Sequence, residues 1–178
     1  SVPAEDASYN HRSISFNGSD EYMVTSADDT LGTRSYSFWA KSGETGGNHV
    51  FNHGSANEGL FSFNYSSYGG QDRAVIHLGE VYVYFDDSSS QDDDAWHHHC
   101  VYIEHDDITN CKWYVDGVAQ ATQTGDTVGS ATAYTSGLII GRESGNYFDG
   151  ELSDFAVFEG ELSAATVTAI YNNGVPAD

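Results

Sequence analysis

The sequence predicts an all-β protein, a sandwich of two antiparallel sheets with one short C-terminal helix. From residue 13 to residue 158 apolar and polar residues alternate with period two, which sends successive side chains to opposite faces of a strand. The alternation breaks at clusters of Gly, Asn and Asp, residues that accept tight turns. Composition agrees: 12 Tyr, 9 Phe, 3 Trp and 19 Gly against 2 Pro suit aromatic strands joined by glycine turns and exclude a disordered or collagen-like chain. The 178 residues suffice for one domain with its own core. No Pro/Ser linker or solenoid-period repeat divides them, so a single domain over 1–178 is expected.

In chain order, the alternation predicts strands at 13–16, 22–25, 36–41, 49–53, 59–65, 74–78, 81–86, 97–104, 111–115, 138–140 and 152–159. Gly-, Ser-, Asp- and Thr-rich stretches at 41–47, 86–94, 123–136 and 143–149 read as rim loops. The Asp116-Gly117 pair at the end of Trp113-Tyr-Val suits a hairpin turn that needs positive φ. A short helix is expected over 162–174, capped by Ser163, stapled through Leu162 onto Val167 and ended by Gly174. Trp96, Trp113 and Phe38 are expected between the sheets.

Six basic residues against 27 acidic ones leave a formal charge of −21, which repels phosphate backbones and excludes nucleic acid as a partner. Such a surface suits a saline or divalent-rich setting, read first as a solvated acidic face and second as one that binds cations. No apolar run of about 18 residues spans a membrane and no signal peptide is visible, so no membrane partner is expected. If the hairpin that holds both cysteines turns near Asp107, Cys100 falls opposite Tyr114 or Val115, out of reach of Cys111. Two reduced, packed thiols are therefore expected, and they leave the compartment open.

Six motifs fall in one order: S-I-S-F-N-G-S-D-E-Y-M-V from Ser13, Y-S-F-W-A-K from Tyr36, W-H-H-H-C-V-Y-I from Trp96, W-Y-V-D-G from Trp113, L-I-I-G-R from Leu138 and F-D-G-E-L-S-D-F-A-V-F-E-G-E-L-S from Phe148. Over 13–174 the chain resembles the laminin-G-like family, related to pentraxins and concanavalin-type lectins. The resemblance implies a two-sheet jelly roll of the concanavalin A-like lectin/glucanase type. In pentraxins a cysteine in the position of Cys100 is bonded to one on an early strand. The matching stretch 36–40 holds no cysteine here, so that disulfide is not expected.

The resemblance also implies calcium as a cofactor. Pentraxin-like calcium loops resemble A-N-E-G-L from Ala56 and G-R-E-S-G-N from Gly141, and carry oxygen ligands over to Asn57 and Glu143 alone. A two-ion site is thus not expected. The alternative ion site comprises Asn17, Asp20 and Asp154, beside the N-terminal F-x-G turn of the family, although Ser153-Asp154 stands here where an Asp-Glu pair is common. The run from Asp86 to His99 sets five carboxylates near three imidazoles, enough to attract a metal. Strand alternation, however, sends His97 and His99 to one face and His98 to the other, which favours a solvated acidic loop before a strand that packs its histidines.

Catalysis is not expected. Laminarinase-type relatives carry acids at alternate positions of a strand, and no predicted strand here does. Asp149-Gly-Glu151 and Glu159-Gly-Glu161 fall at turns, and Cys100 and His99 point to opposite faces. The resemblance implies a binding module for glycans, cell-surface polysaccharide or surface adhesion. Loop residues Asn57, Tyr68, Asn146 and Tyr147 are the expected contacts, with Tyr65 and Tyr134 as further loop aromatics. The alternative is a virion structural protein, a capsid-decorating or tail-associated component of a marine bacteriophage, because G-E-L-S-D from Gly150 resembles the G-x-I-S-D of such domains. Its partners would be other virion proteins or further copies of itself. Either way the expected location is extracellular or on a virion surface.

Overall fold

The computed structural model describes residues 13–25, 33–43, 48–53, 59–63, 73–85, 91–123, 125, 127, 129 and 137–172. Its strands are β1 (Ile14–Asn17), β2 (Met23–Val24), β3 (Arg34–Lys41), β4 (Asn48–His53), β5 (Leu60–Phe63), β6 (Ala74–Leu78), β7 (Val81–Phe85), β8 (His97–Ile103), β9 (Lys112–Val115), β10 (Val118–Ala119), β11 (Thr122–Gln123), β12 (Leu138–Ile140), β13 (Arg142–Glu143), β14 (Asn146–Tyr147) and β15 (Asp149–Glu159). One sheet runs β1-β15-β3-β8-β9-β10, the other β11-β7-β6-β5-β4-β12-β2, and β13-β14 form a separate hairpin. Every pairing is antiparallel. This is the jelly-roll sandwich that the motifs imply.

Alternation puts Tyr36, Phe38 and Ala40 of β3, Val101 and Ile103 of β8, and Ile76, Val83 and Phe85 of the facing sheet into one core. At its centre the ring of His99 lies parallel to Phe38 (5.2 Å between centroids), Phe63 (5.3 Å) and Trp113 (5.9 Å). Trp113 Nε1 donates to His99 Nδ1 at 3.2 Å, so the imidazole packs as a flat ring with one satisfied acceptor. Burial pushes the pKa of His99 down to about 3 and keeps it neutral.

Cys100 pairs with Tyr114 in the ladder, as the hairpin arithmetic predicts, and both cysteines are free and buried. Burial pushes each thiol up to about 12, so neither is a nucleophile at neutral pH. Asp116 (φ 49°) and Gly117 (φ 78°) form the two-residue turn between β9 and β10, as expected. Helix α1 (Ala164–Tyr171) begins at Ser163, whose Oγ accepts from Thr166 N–H, and Val167 packs with Leu162 on Cys100 and Tyr114.

Four expectations are corrected. The stretch 143–149 is not a plain loop: Glu143 pairs with Asn146 across Ser144 (φ 45°) and Gly145 (φ 98°), a turn short enough to be a hairpin. β15 starts at Asp149, so Asp149, Glu151 and Glu159 are strand residues and not turn residues. Asp149 and Glu151 therefore do stand at alternate positions of a strand, but Glu151 accepts from Ser13 Oγ at 2.6 Å and faces Lys41 Nζ at 3.7 Å, contacts that tie strands together. Trp96 precedes β8 and is half-buried, outside the core cluster between the sheets. Helix α1 stops at Asn172, which takes the left-handed conformation itself (φ 47°), and Gly174 lies outside the described residues.

Candidate functional site

The hairpin β13–β14 leaves the sandwich where Gly141 allows a sharp exit. Gly141 has φ +87°, and a Cβ there would meet Phe16 Cε1 at 2.5 Å. Its N–H donates to Val50 O (2.8 Å) and its carbonyl accepts from Phe148 N–H (2.9 Å). Asn52, buried on β4, holds the first hairpin strand by donating Nδ2–H to Arg142 O at 2.8 Å.

Because directly opposed residues share a face, the hairpin sorts its four side chains into two pairs. Arg142 opposes Tyr147, and both meet Tyr22: the guanidinium carbon lies 3.9 Å from the Tyr22 ring centroid, and the Tyr22 and Tyr147 centroids are 6.4 Å apart. Tyr22 is 42% exposed, which leaves part of its surface open to a ligand. Glu143 opposes Asn146, which donates Nδ2–H to its Oε2 at 3.4 Å. Glu143 is 5% exposed and sits 3.9 Å from His49 Nδ1. Ion-pair distance does not make an ion pair here: burial first, then the nearby His77, pushes His49 down to about 4, so the imidazole is neutral at physiological pH.

Of the expected contacts, Asn146, Tyr147 and Glu143 thus come together on one hairpin. Asn57, Tyr65, Tyr68 and Tyr134 lie outside the described residues. Asn17 and Asp20 meet at the turn after β1, where Asn17 Nδ2–H donates to Asp20 Oδ1 (2.9 Å) and Asn17 Oδ1 accepts the N–H groups of Ser19 (3.0 Å) and Asp20 (3.2 Å). Asp154 is not with them. Asn17 pairs with Asp149, and Asp154 lies five residues further along β15, about 15 Å away at strand rise. The Asn17 oxygen serves its own turn and its amide nitrogen faces the carboxylate, a donor set unlike the oxygen cage that calcium takes. At the hairpin Glu143 is the one described carboxylate. Among the described residues no group of three or more His, Cys, Asp or Glu could hold a metal ion.

The three histidines after the acidic run divide as alternation predicts. His99 is in the core, and His98 faces outward with Nε2 2.9 Å from Ser37 Oγ. His97 sits between two carboxylates, Nδ1 at 2.7 Å from Asp116 Oδ2 and Nε2 at 3.2 Å from Asp93 Oδ1. Its hydrogen bond to Asp116 raises its pKa, with Asp93 adding to the rise. Asp86 and Asp87 lie outside the described residues.

Tyr22, Arg142 and His49 were not among the expected site residues. Arg142 carried a signal, since it is one of six basic residues in a chain of charge −21. Tyr22 and His49 carried none, because both fall in stretches predicted as strands, where alternation alone accounts for them.

The family model described as the concanavalin A-like lectin/glucanases superfamily, of laminin G type, matches residues 16–168. A comparison with curated protein sequences finds no match. Among solved structures, the chain is similar to the native heptameric SAP-like pentraxin of Limulus polyphemus, with 18% identity over 92% of this chain and 84% of that one (TM-score 0.67). It is similar to the receptor binding domain of botulinum neurotoxin D, with 16% identity over 91% and 44% (TM-score 0.64). The serotype D ligand binding domain in complex with N-acetylneuraminic acid aligns at 15% identity over 90% and 42% (TM-score 0.63). The chain thus spans less than half of each toxin domain, and identities this low speak for the fold alone.

Proposed function

The chain belongs to the laminin G type of the concanavalin A-like lectin/glucanase superfamily, and we propose that it is a non-catalytic module that binds glycans on a cell surface through the hairpin rim. One observation carries this reading: an exposed aromatic, Tyr22, stands with Arg142 and Tyr147 on one side of a two-residue turn that presents Asn146. A sugar ring lays its C–H face on an aromatic side chain and spends its hydroxyls on planar donors such as an amide or a guanidinium. Arg142 adds a positive charge that suits a carboxylate-bearing sugar, and the toxin domain solved with N-acetylneuraminic acid has this fold. Asn57 and Tyr68 are further contacts in this proposal, as is an extracellular location. Calcium belongs to the same proposal, with Asn57 and Glu143 as the oxygen ligands that the family resemblance carries over.

The test is a glycan array followed by calorimetry on the best hit, with wild type, Tyr22→Ala and Arg142→Ala, each with calcium and with chelator. Binding that falls at least tenfold in both variants, about 1.4 kcal/mol or more, supports the rim. Preference for sialylated over neutral sugars that disappears in Arg142→Ala assigns the charge contact. Loss of binding in chelator, restored by calcium, assigns an ion to the site. An array without hits, with the protein instead found in regular copies on a virus particle, would replace this reading with the virion one.

A further inference from the structure

On the outer face of the other sheet, helix α1 roofs a cavity of about 450 Å³. Its strand side is formed by Ser37 and Trp39 of β3, His98 of β8 and Asp154 of β15, and its helix side includes Thr166 and Ile170. Ser37 and Trp39 face outward because Tyr36, Phe38 and Ala40 face the core. Trp39 opposes His98 in the ladder, their rings 5.3 Å apart, and Tyr171 of α1 closes on both at 5.9 and 6.1 Å. The result is an aromatic wall held by two long paired strands.

Asp154 is placed there by an irregularity. The β15–β3 register shifts between Ser153 and Ala156, and Asp154 has φ 49°, a left-handed residue inside an eleven-residue strand. Such a conformation is strained for a residue other than glycine, and bulges of this kind re-aim side chains next to sites. Asp154 is the one formally charged side chain in the lining. Burial pushes His98 down to about 4 and leaves it neutral. Asp116, whose Oδ1 accepts the His98 N–H at 2.9 Å, adds negative potential behind the wall.

The Ser37–His98 contact is not a catalytic dyad, since His98 Nδ1 has no hydrogen-bond partner and thus no carboxylate to orient it. Nor does the wall suit a bare metal ion, which needs several oxygen ligands where this cavity offers one carboxylate among rings. We propose that the cavity binds a small organic ammonium ion with an apolar body, its charge held by the Asp154 carboxylate and the face of Trp39 and its body against Ile170. Carboxylate pairing and cation–π attraction act together on such an ion, and the −21 charge of the chain raises its local concentration.

The probe is tert-butylammonium, with tert-butanol as its neutral twin of the same shape, titrated into the full chain at 0.15 M salt and read by calorimetry and by the Trp39 indole N–H resonance. The ammonium should bind at least tenfold more tightly than the alcohol. Asp154→Asn, which tolerates the left-handed backbone, should remove that preference, and Ile170→Trp, which fills the cavity from the helix side, should abolish binding. Asp106→Asn, an exposed carboxylate far from the lining, should leave binding unchanged. No binding of the ammonium, equal binding of the two probes, or an equal loss in Asp106→Asn would overturn the proposal. Because none of these residues belongs to the hairpin rim, failure here leaves the glycan reading standing, and the reverse.

Discussion

The hairpin rim and the helix-roofed face use one sandwich in different ways. At the rim two strands of two residues each hang from β12 and β4 by Gly141 and one buried amide, and the charge they display is positive. On the helix face Trp39 and His98 stand on β3 and β8, paired without interruption from Arg34↔Ile103 to Ala40↔His97, and the one charge in the lining, that of Asp154 on β15, is negative. The first arrangement leaves Tyr22 and Asn146 open to a large, shallow ligand. The second holds Trp39 and His98 in place and suits a small ligand that fits a fixed shape. Rigidity thus follows from ladder length, and ligand size from rigidity.

Acidification should affect both regions, with the largest effect. Burial depresses His49 and His77 near the rim to about 4, and on β8 it depresses His98 to about 4 and His99 to about 3. All four titrate near 6.5 when unfolded, so the unfolded chain takes up protons first as pH falls. Their contribution is therefore complete above pH 6.5 and is lost as pH drops toward 4. At pH 5 each costs about 2 kcal/mol. His97 runs the other way: its pKa is raised, so its contribution is present below 6.5 and lost as pH rises through the raised value, which offsets part of the loss. Urea unfolding at pH 7.5 and 5.0 should show a drop of several kcal/mol. His77→Gln and His98→Gln should each shrink that drop by about 2 kcal/mol, and an unchanged drop would contradict the neutral burial of the residue concerned.

Asn52→Ala should separate the two regions. It removes the buried hydrogen bond to Arg142 O, at a cost of about 1–2 kcal/mol, and should release the hairpin from β4. Glycan affinity should fall severalfold while tert-butylammonium binding stays as it was. Ser163→Ala is the counterpart with the smallest effect. Loss of the N-cap should cost about 1 kcal/mol and loosen the roof of the cavity, weakening the ammonium probe and sparing the rim.

Most of the strand framework was legible because alternation is local: Val81-Tyr-Val-Tyr-Phe names its inward residues without help. The His97–His99 split followed from the same rule, and so did Cys100 opposite Tyr114. Alternation failed where an element is too short to show it. β13 and β14 have two residues each, and the sequence Glu-Ser-Gly-Asn reads as any polar turn. It also failed at the start of β15, because Gly150 and Asp149 are poor strand formers held there by pairing with β1. Glu143, Asn146 and Tyr147 were legible as a local loop cluster. Their neighbours Tyr22 and His49 were not, since they come from segments more than ninety residues away.

By itself the sequence determined what depends on neighbours along the chain: the strand periods, the Asp116-Gly117 turn, the Ser163 cap, and the surplus of negative charge. Tertiary structure alone decided what depends on neighbours in space. Pairing across the ladder put Trp39 beside His98, a register shift set Asp154 in the lining of the cavity under the helix, and Gly141 swung Arg142 onto Tyr22. Each of these is a contact between distant segments, and its energy comes from closing the sandwich. No stretch of sequence carries that energy until both sheets are in place.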